Sequence, residues 1–197
     1  MIVDALILAG GRSSRLGPSG EKKAQADKQK LQIDGVTLLE RSIHAVQQAG
    51  VRSVIVVGDE TVEGAVTVRE EPAFAGPVTA IAAGLAALPG TADAVLVIAC
   101  DMPGIGSALP PLLDAFRGDG AIAVDRGRRQ QLAVLLDPAR LATALAALPT
   151  VADASMRSLL DGLVVTEAVV PDGATDDIDT RDDADRFGAV PLTGAHS

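Results

Sequence analysis

A chain of 197 residues, 48% apolar and built mainly from Ala, Val, Leu and Ile, is long and hydrophobic enough for one well-packed globular domain. Its net charge of -9, with three Phe and neither Trp nor Tyr, argues against a nucleic-acid partner, which needs clustered Lys and Arg and aromatic stacking platforms. The single cysteine, Cys100, excludes an internal disulfide and any multi-cysteine metal site, and suits a reducing compartment.

The first residues, MIVDALILAGG, lack the basic segment of a secretory signal. No run approaches the roughly 20 apolar residues of a membrane span. The expectation is a cytoplasmic protein with no membrane partner.

Short apolar runs alternate with longer amphipathic ones. The first strand is expected at Ala5–Leu8, followed by a helix over Leu38–Gln48 and a strand at Ser53–Val57. A helix at Val78–Ala87, a strand at Ala94–Ala99 and a helix at Leu109–Phe116 come next. Strands at Gly120–Val124 and Ala133–Leu136 flank GRRQQ (Gly127–Gln131), which reads as an exposed turn. Helices at Pro138–Ala147 and Ser155–Leu160, a strand at Leu163–Val169 and a helix at Arg181–Phe187 complete the pattern. Runs such as VIVV and AVLVIA are apolar without alternation, as in strands buried on both faces of a parallel sheet. The expected fold is α/β, a doubly wound and mostly parallel sheet with helices on both faces. Residues 1–190 are expected to form a single domain, with a frayed tail over 191–197.

In such sheets ligands bind beyond the carboxyl ends of the strands. The informative places are therefore Gly10–Arg15, Gly58, Cys100–Pro103 and the aspartate run after Val170. Between residues 9 and 30 lie Arg12, Arg15 and all four lysines of the protein, Lys22, Lys23, Lys28 and Lys30, against only Glu21 and Asp27. A basic, glycine-rich turn in an acidic protein can direct several backbone N–H groups at one anion. Arg15 can grip phosphate oxygens in a forked pair, and Lys28 can supply a point charge. A plain strand-to-helix turn with solvated basic side chains accounts better for the glycine spacing taken alone. The Walker pattern is absent, and glycines at 10, 11 and 17 do not make the dinucleotide pattern GxGxxG.

Asp101 follows a buried strand, where a carboxylate can hold Mg²⁺ against substrate phosphates or cap the turn behind it. The stretch DGATDDIDTRDDADRF carries seven Asp between 172 and 185. Thr180 with Asp183 reads as a capping box, and Asp182 and Asp185 as solvated. Asp177 and Asp179, two residues apart, point to one side of an extended segment, and Asp179 is the preferred second metal ligand. His44 lies in a helix and His196 in the tail; neither is placed for acid–base work. A chemistry that needs no general base fits this inventory. A terminal phosphate, with a second pKa near 6, is already an anion at neutral pH.

LAGGRSSRLG followed by DK resembles the signature of nucleotidyltransferases that join a nucleoside monophosphate to a phosphorylated acceptor, and most closely that of the molybdenum cofactor guanylyltransferases. DKQKLQIDGVTLLERSI, EEPAFAGPVTAIAAGL, ACDMPGI and DDIDTRDDADRF are similar to later segments of that family, in the right order over positions 5 to 187. The resemblance implies a Rossmann-like nucleotidyltransferase fold. It also implies that Leu8, Ala9 and Gly10, with the neighbouring Gly11, contact base, ribose or phosphates. Arg15 and Lys28 would hold the triphosphate, Glu71 would fill the acidic position before Gly-Pro, and Asp101 would bind Mg²⁺. Gly58, just past its strand, joins the nucleotide set, and Arg15, Lys28 and Asp101 form the catalytic one.

The implied reaction is Mg²⁺-dependent transfer of GMP from GTP to the phosphate of molybdopterin, releasing pyrophosphate and forming the guanine dinucleotide cofactor. Molybdenum-insertion proteins or molybdoenzyme chaperones are the implied protein partners. CMP transfer from CTP to the same acceptor, a sugar-phosphate nucleotidyltransferase and a catalytically silent nucleotide-binding regulator are the alternatives. The joint presence of Arg15, Lys28 and Asp101 argues against silence. The sequence departs from the family in the insert PSGEKKAQA, which leaves Lys22 and Lys23 as alternatives to Lys28. It departs again at Arg181, where Pro is usual, and after Gln130, where Gln131 replaces Pro. Arg128, Arg129 and Gln130 are candidate acceptor contacts.

Overall fold

Each central strand is apolar on both sides because helices cover both faces of one sheet. The computed structural model describes residues 1–10 and 30–191. In chain order the first elements are β1 (Val3–Leu8), β2 (Leu31–Ile33), β3 (Val36–Thr37), α1 (Leu38–Gln48), β4 (Ser53–Val57), β5 (Val66–Val68), α2 (Pro77–Ala86) and β6 (Ala94–Ala99). A short 3-10 turn at Ile105–Ser107 precedes α3 (Leu109–Ala115), β7 (Gly120–Asp125), β8 (Arg128–Leu136), α4 (Pro138–Ala147), α5 (Met156–Leu160), β9 (Val165–Val169), α6 (Arg181–Phe187) and β10 (Val190–Pro191).

Seven strands form the main sheet in the order β5-β4-β1-β6-β8-β7-β9. β8 runs antiparallel to β6 and β7, and the other pairings are parallel. From β1 the chain steps outward to β4 and β5, then returns to place β6 on the other side of β1. That reversal is the topological switch point, where the carboxyl ends of neighbouring strands open a crevice. Register sets Leu8 of β1 opposite Ala99 of β6. The amide of Cys100 donates to the Leu8 carbonyl at 3.1 Å, so the pairing holds up to the crevice.

Leu39, Ile43 and Val46 of α1 and Leu109 and Leu112 of α3 pack on one face of the sheet, against Ala5, Ile7, Leu96 and Ile98. Val78 and Ile81 of α2, Leu141 and Leu145 of α4, and Met156 and Leu159 of α5 cover the other, against Leu6, Ile55, Val97 and Val134. Burying apolar area at about 25 cal/mol per Å² drives this sandwich. The doubly wound fold is therefore as expected. No helix among the described residues is long and apolar enough to cross a membrane.

Three features differ from expectation. The main sheet has an edge strand, β5, that is too short and too exposed to show as an apolar run. The turn after β7 is only Arg126 and Gly127, and Arg128–Gln131 belong to β8. The tight two-residue hairpin fixes this, since Asp125 already pairs with Arg128 and leaves no room for a longer loop. A second, three-stranded sheet, β10-β2-β3, also forms. It encloses Leu31, Ile33, Leu38, Ile178 and Ala189, with Ala184 and Phe187 of α6 packed against them.

Candidate active site at the switch point

Two clusters of predicted residues flank the crevice. On the β1 and β4 side, Leu8 and Ala9 are buried and Gly10 is exposed at the strand end. The Ala9 amide donates to the Val57 carbonyl at 2.9 Å, and the Gly58 amide to the Val68 carbonyl at 2.9 Å. Gly58 lies so close to Ala9 that a Cβ there would stand 3.1 Å from the Ala9 carbonyl carbon and oxygen. The glycine lets two strand ends converge under the site.

Glu70 completes this corner and went unnoticed in the sequence. It is 8% exposed, and its Oε1 lies 3.7 Å from where a side chain on Gly10 would begin. The same oxygen accepts the Phe74 amide at 3.0 Å. Glu71 is exposed and precedes a cis proline, Pro72. Of the two adjacent carboxylates, Glu70 is thus the one turned toward the end of β1. An acidic side chain buried beside a strand end is the signal, but EE in a row does not say which of the pair turns inward.

On the β6 side Asp101 sits two residues past the strand. Met102 and Ile105, immediately behind it, are buried in the core, and the Ile105 amide donates to the Met102 carbonyl at 3.2 Å. These contacts fix the turn that carries Asp101. The Ile178 amide donates to the Asp101 carbonyl at 3.0 Å, drawing the loop after β9 alongside. Asp101, Asp177 and Asp179 each then offer a carboxylate oxygen, all within 4.8 Å of one another. The period-two reading that placed Asp177 and Asp179 on one side fits this cluster, with Asp177 standing beside the preferred Asp179. Hard oxygen donors at this spacing suit Mg²⁺ or Mn²⁺, which combine one or more carboxylates with phosphate oxygens and water.

Other aspartates of the run have different tasks. Asp183 accepts from the Thr180 hydroxyl at 2.6 Å, the Thr180 amide at 2.8 Å and the Asp179 amide at 3.3 Å. That capping box is as expected and holds the Asp183 carboxyl below its usual range, chiefly through the Thr180 hydroxyl. Asp176 is clamped by Arg126 at 2.9 Å and Arg186 at 2.7 Å. Asp182 and Asp185 are exposed.

Gly11, Arg15, Lys22, Lys23 and Lys28 lie outside the described residues, as does the tail over 192–197. Lys30 is paired with Glu60 at 2.8 Å. His44 is exposed on α1 with Gln48 at 2.8 Å. Arg128 and Arg129 are exposed on the hairpin, where Arg129 pairs with Glu167 at 2.7 Å.

Comparison with known proteins agrees with this architecture. Residues 5–168 match the model of the MobA-like NTP transferase domain. The chain is 33% identical over 145 residues to a protein from Opitutus terrae described as a probable molybdenum cofactor guanylyltransferase, covering 70% of this chain and 68% of that one. Two solved structures share the fold. A nucleotidyl transferase from Methanothermobacter superposes with a TM-score of 0.74 at 21% identity, over 94% of this chain and 95% of its own. Molybdopterin-guanine dinucleotide biosynthesis protein A from Archaeoglobus fulgidus gives 0.67 at 18% identity, over 93% and 96%. The chain belongs to the MobA-like NTP transferase family and is a nucleotidyltransferase.

Proposed function

We propose that this nucleotidyltransferase transfers GMP from GTP to the terminal phosphate of molybdopterin, releasing pyrophosphate and forming the guanine dinucleotide cofactor. The observation that supports it most is the meeting of Asp101 with Asp177 and Asp179 across the switch point from the Leu8–Gly10 strand end. The relative from Opitutus terrae supports the choice of guanine and pterin. Residues 1–190 would act as one domain in the cytoplasm, with molybdenum-insertion proteins or molybdoenzyme chaperones as its protein partners.

Leu8, Ala9, Gly10, Gly11 and Gly58 would line the nucleoside end, with Glu70 or Glu71 as its carboxylate. Arg15 and Lys28 would grip the triphosphate and neutralise the charge that builds on pyrophosphate as it leaves. Asp101 and Asp179, with Asp177 beside them, would hold Mg²⁺. When bound, that ion would supply Lewis-acid stabilisation of the negative charge that develops on the phosphates. An oxygen of the acceptor phosphate attacks the α-phosphorus in line. The bond from that phosphorus to the β-bridging oxygen breaks, and its electron pair departs with pyrophosphate. The acceptor arrives as an anion, so no protein base is required. The protein's part is to orient the two phosphates and exclude water.

Binding measured with GTP, CTP, ATP and UTP in the presence of Mg²⁺ tests the nucleotide. The proposal expects GTP to bind most tightly; preference for CTP would replace guanine by cytosine.

A further inference from the structure

Asp125 closes β7 and takes no part in the functional reading above. It is 3% exposed, and a buried carboxylate is costly unless its oxygens are satisfied. Oδ1 accepts the Gly173 amide at 3.0 Å. Oδ2 accepts the Thr175 amide at 3.1 Å and the Thr175 hydroxyl at 2.8 Å. Burial works against ionisation, but these three bonds and the Arg126 charge outweigh it and hold the carboxyl below its ordinary range. All three donors belong to the loop that runs into Asp177 and Asp179.

The same loop is gripped from the other side. A Cβ on Gly104, in the turn that carries Asp101, would stand 3.1 Å from the Ala174 carbonyl oxygen and 3.2 Å from that of Gly173. Ala174 and Thr175 are buried, and Ile178 donates to Asp101. The loop therefore lies wedged between the end of β7 and the turn after β6. On the β7 side it is anchored by the buried Asp125 carboxylate and, at the surface, by the Arg126–Asp176 pair.

We infer that Asp125 is a positioning residue for the metal: by binding Gly173 and Thr175 it sets the loop that presents Asp177 and Asp179 to Asp101. This rests on the reading of those three aspartates as metal ligands. Residues that orient metal ligands typically contribute about 10- to 100-fold in metal affinity.

The test titrates Mn²⁺ alone into the intact protein, following free Mn²⁺ by electron paramagnetic resonance, for the native chain, Asp101→Ala, Asp125→Asn and Thr175→Val. Thermal melting without metal is recorded alongside. Thr175→Val removes one hydroxyl bond and keeps the backbone bonds, so it decides the matter if Asp125→Asn fails to fold. The expected result is a Kd for Mn²⁺ raised about tenfold or more in Asp125→Asn. Thr175→Val should raise it about threefold, the loss of one hydrogen bond, with near-native melting. The Mn²⁺ concentration for half-maximal turnover should rise in parallel, while kcat at saturating metal stays close to native. Native Mn²⁺ affinity in the folded variants, with Asp101→Ala weakened, overturns the role of Asp125 and leaves the metal reading standing. If the native chain binds no Mn²⁺, or Asp101→Ala binds it equally well, the metal reading fails and this inference fails with it.

Discussion

The amide of Ile178 donates to the carbonyl of Asp101 across 3.0 Å, joining two segments 77 residues apart in sequence. Because Ile178 points into the small core with Leu31 and Leu38, its two neighbours, Asp177 and Asp179, turn the other way, toward Asp101. One backbone bond and one buried side chain thus turn the two loop carboxylates toward the third.

If those carboxylates hold the catalytic metal, Asp101→Ala removes a ligand without opening the core. Losing roughly 3 kcal/mol of metal-borne charge stabilisation corresponds to at least about 100-fold in kcat. Turnover should collapse while circular dichroism and melting remain close to native; unchanged activity would refute the assignment.

Gly58→Ala probes the opposite wall. The added Cβ would meet the Ala9 backbone at 3.1 Å, and backbone cannot swing aside as a flexible side chain can. Overpacking of this kind costs about 1–3 kcal/mol. The variant should melt lower and bind nucleotide more weakly, measured by calorimetry. Native affinity in the variant would show that Gly58 lies apart from the nucleotide.

Acid should weaken the fold partly through Asp125. Its folded-state carboxyl titrates below the ordinary value, so its contribution to stability is present above the unfolded pKa of about 3.9 and fades as pH falls through the lower folded value. Denaturation of the native chain and Asp125→Asn, compared from pH 7 downward, should show a stability gap that holds above about pH 5 and narrows below about pH 4. A gap that widened in acid would contradict this sign.

Lys28→Ala, set against Lys22→Ala and Lys23→Ala, assigns the triphosphate lysine. The expected outcome is a rise in KM for nucleotide of about tenfold or more for Lys28 alone, as for a charge-assisted contact of about 1.5–3 kcal/mol. A larger effect at Lys22 or Lys23 would move the role into the insert.

The centre of the main sheet was legible because its strands are buried on both faces and read as unbroken apolar runs, whereas the edge strand β5, three residues long and partly exposed, was not. α1 and α4 were legible as longer amphipathic runs, and α6 also from the Thr180–Asp183 capping box that opens it; the caps at Thr37 and Asp137 emerged only in the structure. The small sheet was not foreseen, since β2 and β3 are three and two residues long and carry no periodicity to detect. Their one signal is the Asp34–Gly35 pair, which is hairpin chemistry. At the site, the ordered motifs pointed to Asp101, and alternation pointed to one side for Asp177 and Asp179. Glu70 and Asp125 escaped because their burial is set by tertiary contacts. Asp125 binds residues 48 and 50 positions away, and no local pattern encodes such a pairing.

The most direct test of the central claim follows the α-phosphorus. Purified protein is incubated with Mg²⁺, molybdopterin and GTP labelled at the α-phosphate, with CTP labelled the same way in parallel. Label from GTP is expected to enter the pterin product with release of an equal amount of pyrophosphate, and neither should occur without molybdopterin. Label entering the pterin from CTP in preference to GTP, or pyrophosphate release indifferent to molybdopterin, would contradict that claim.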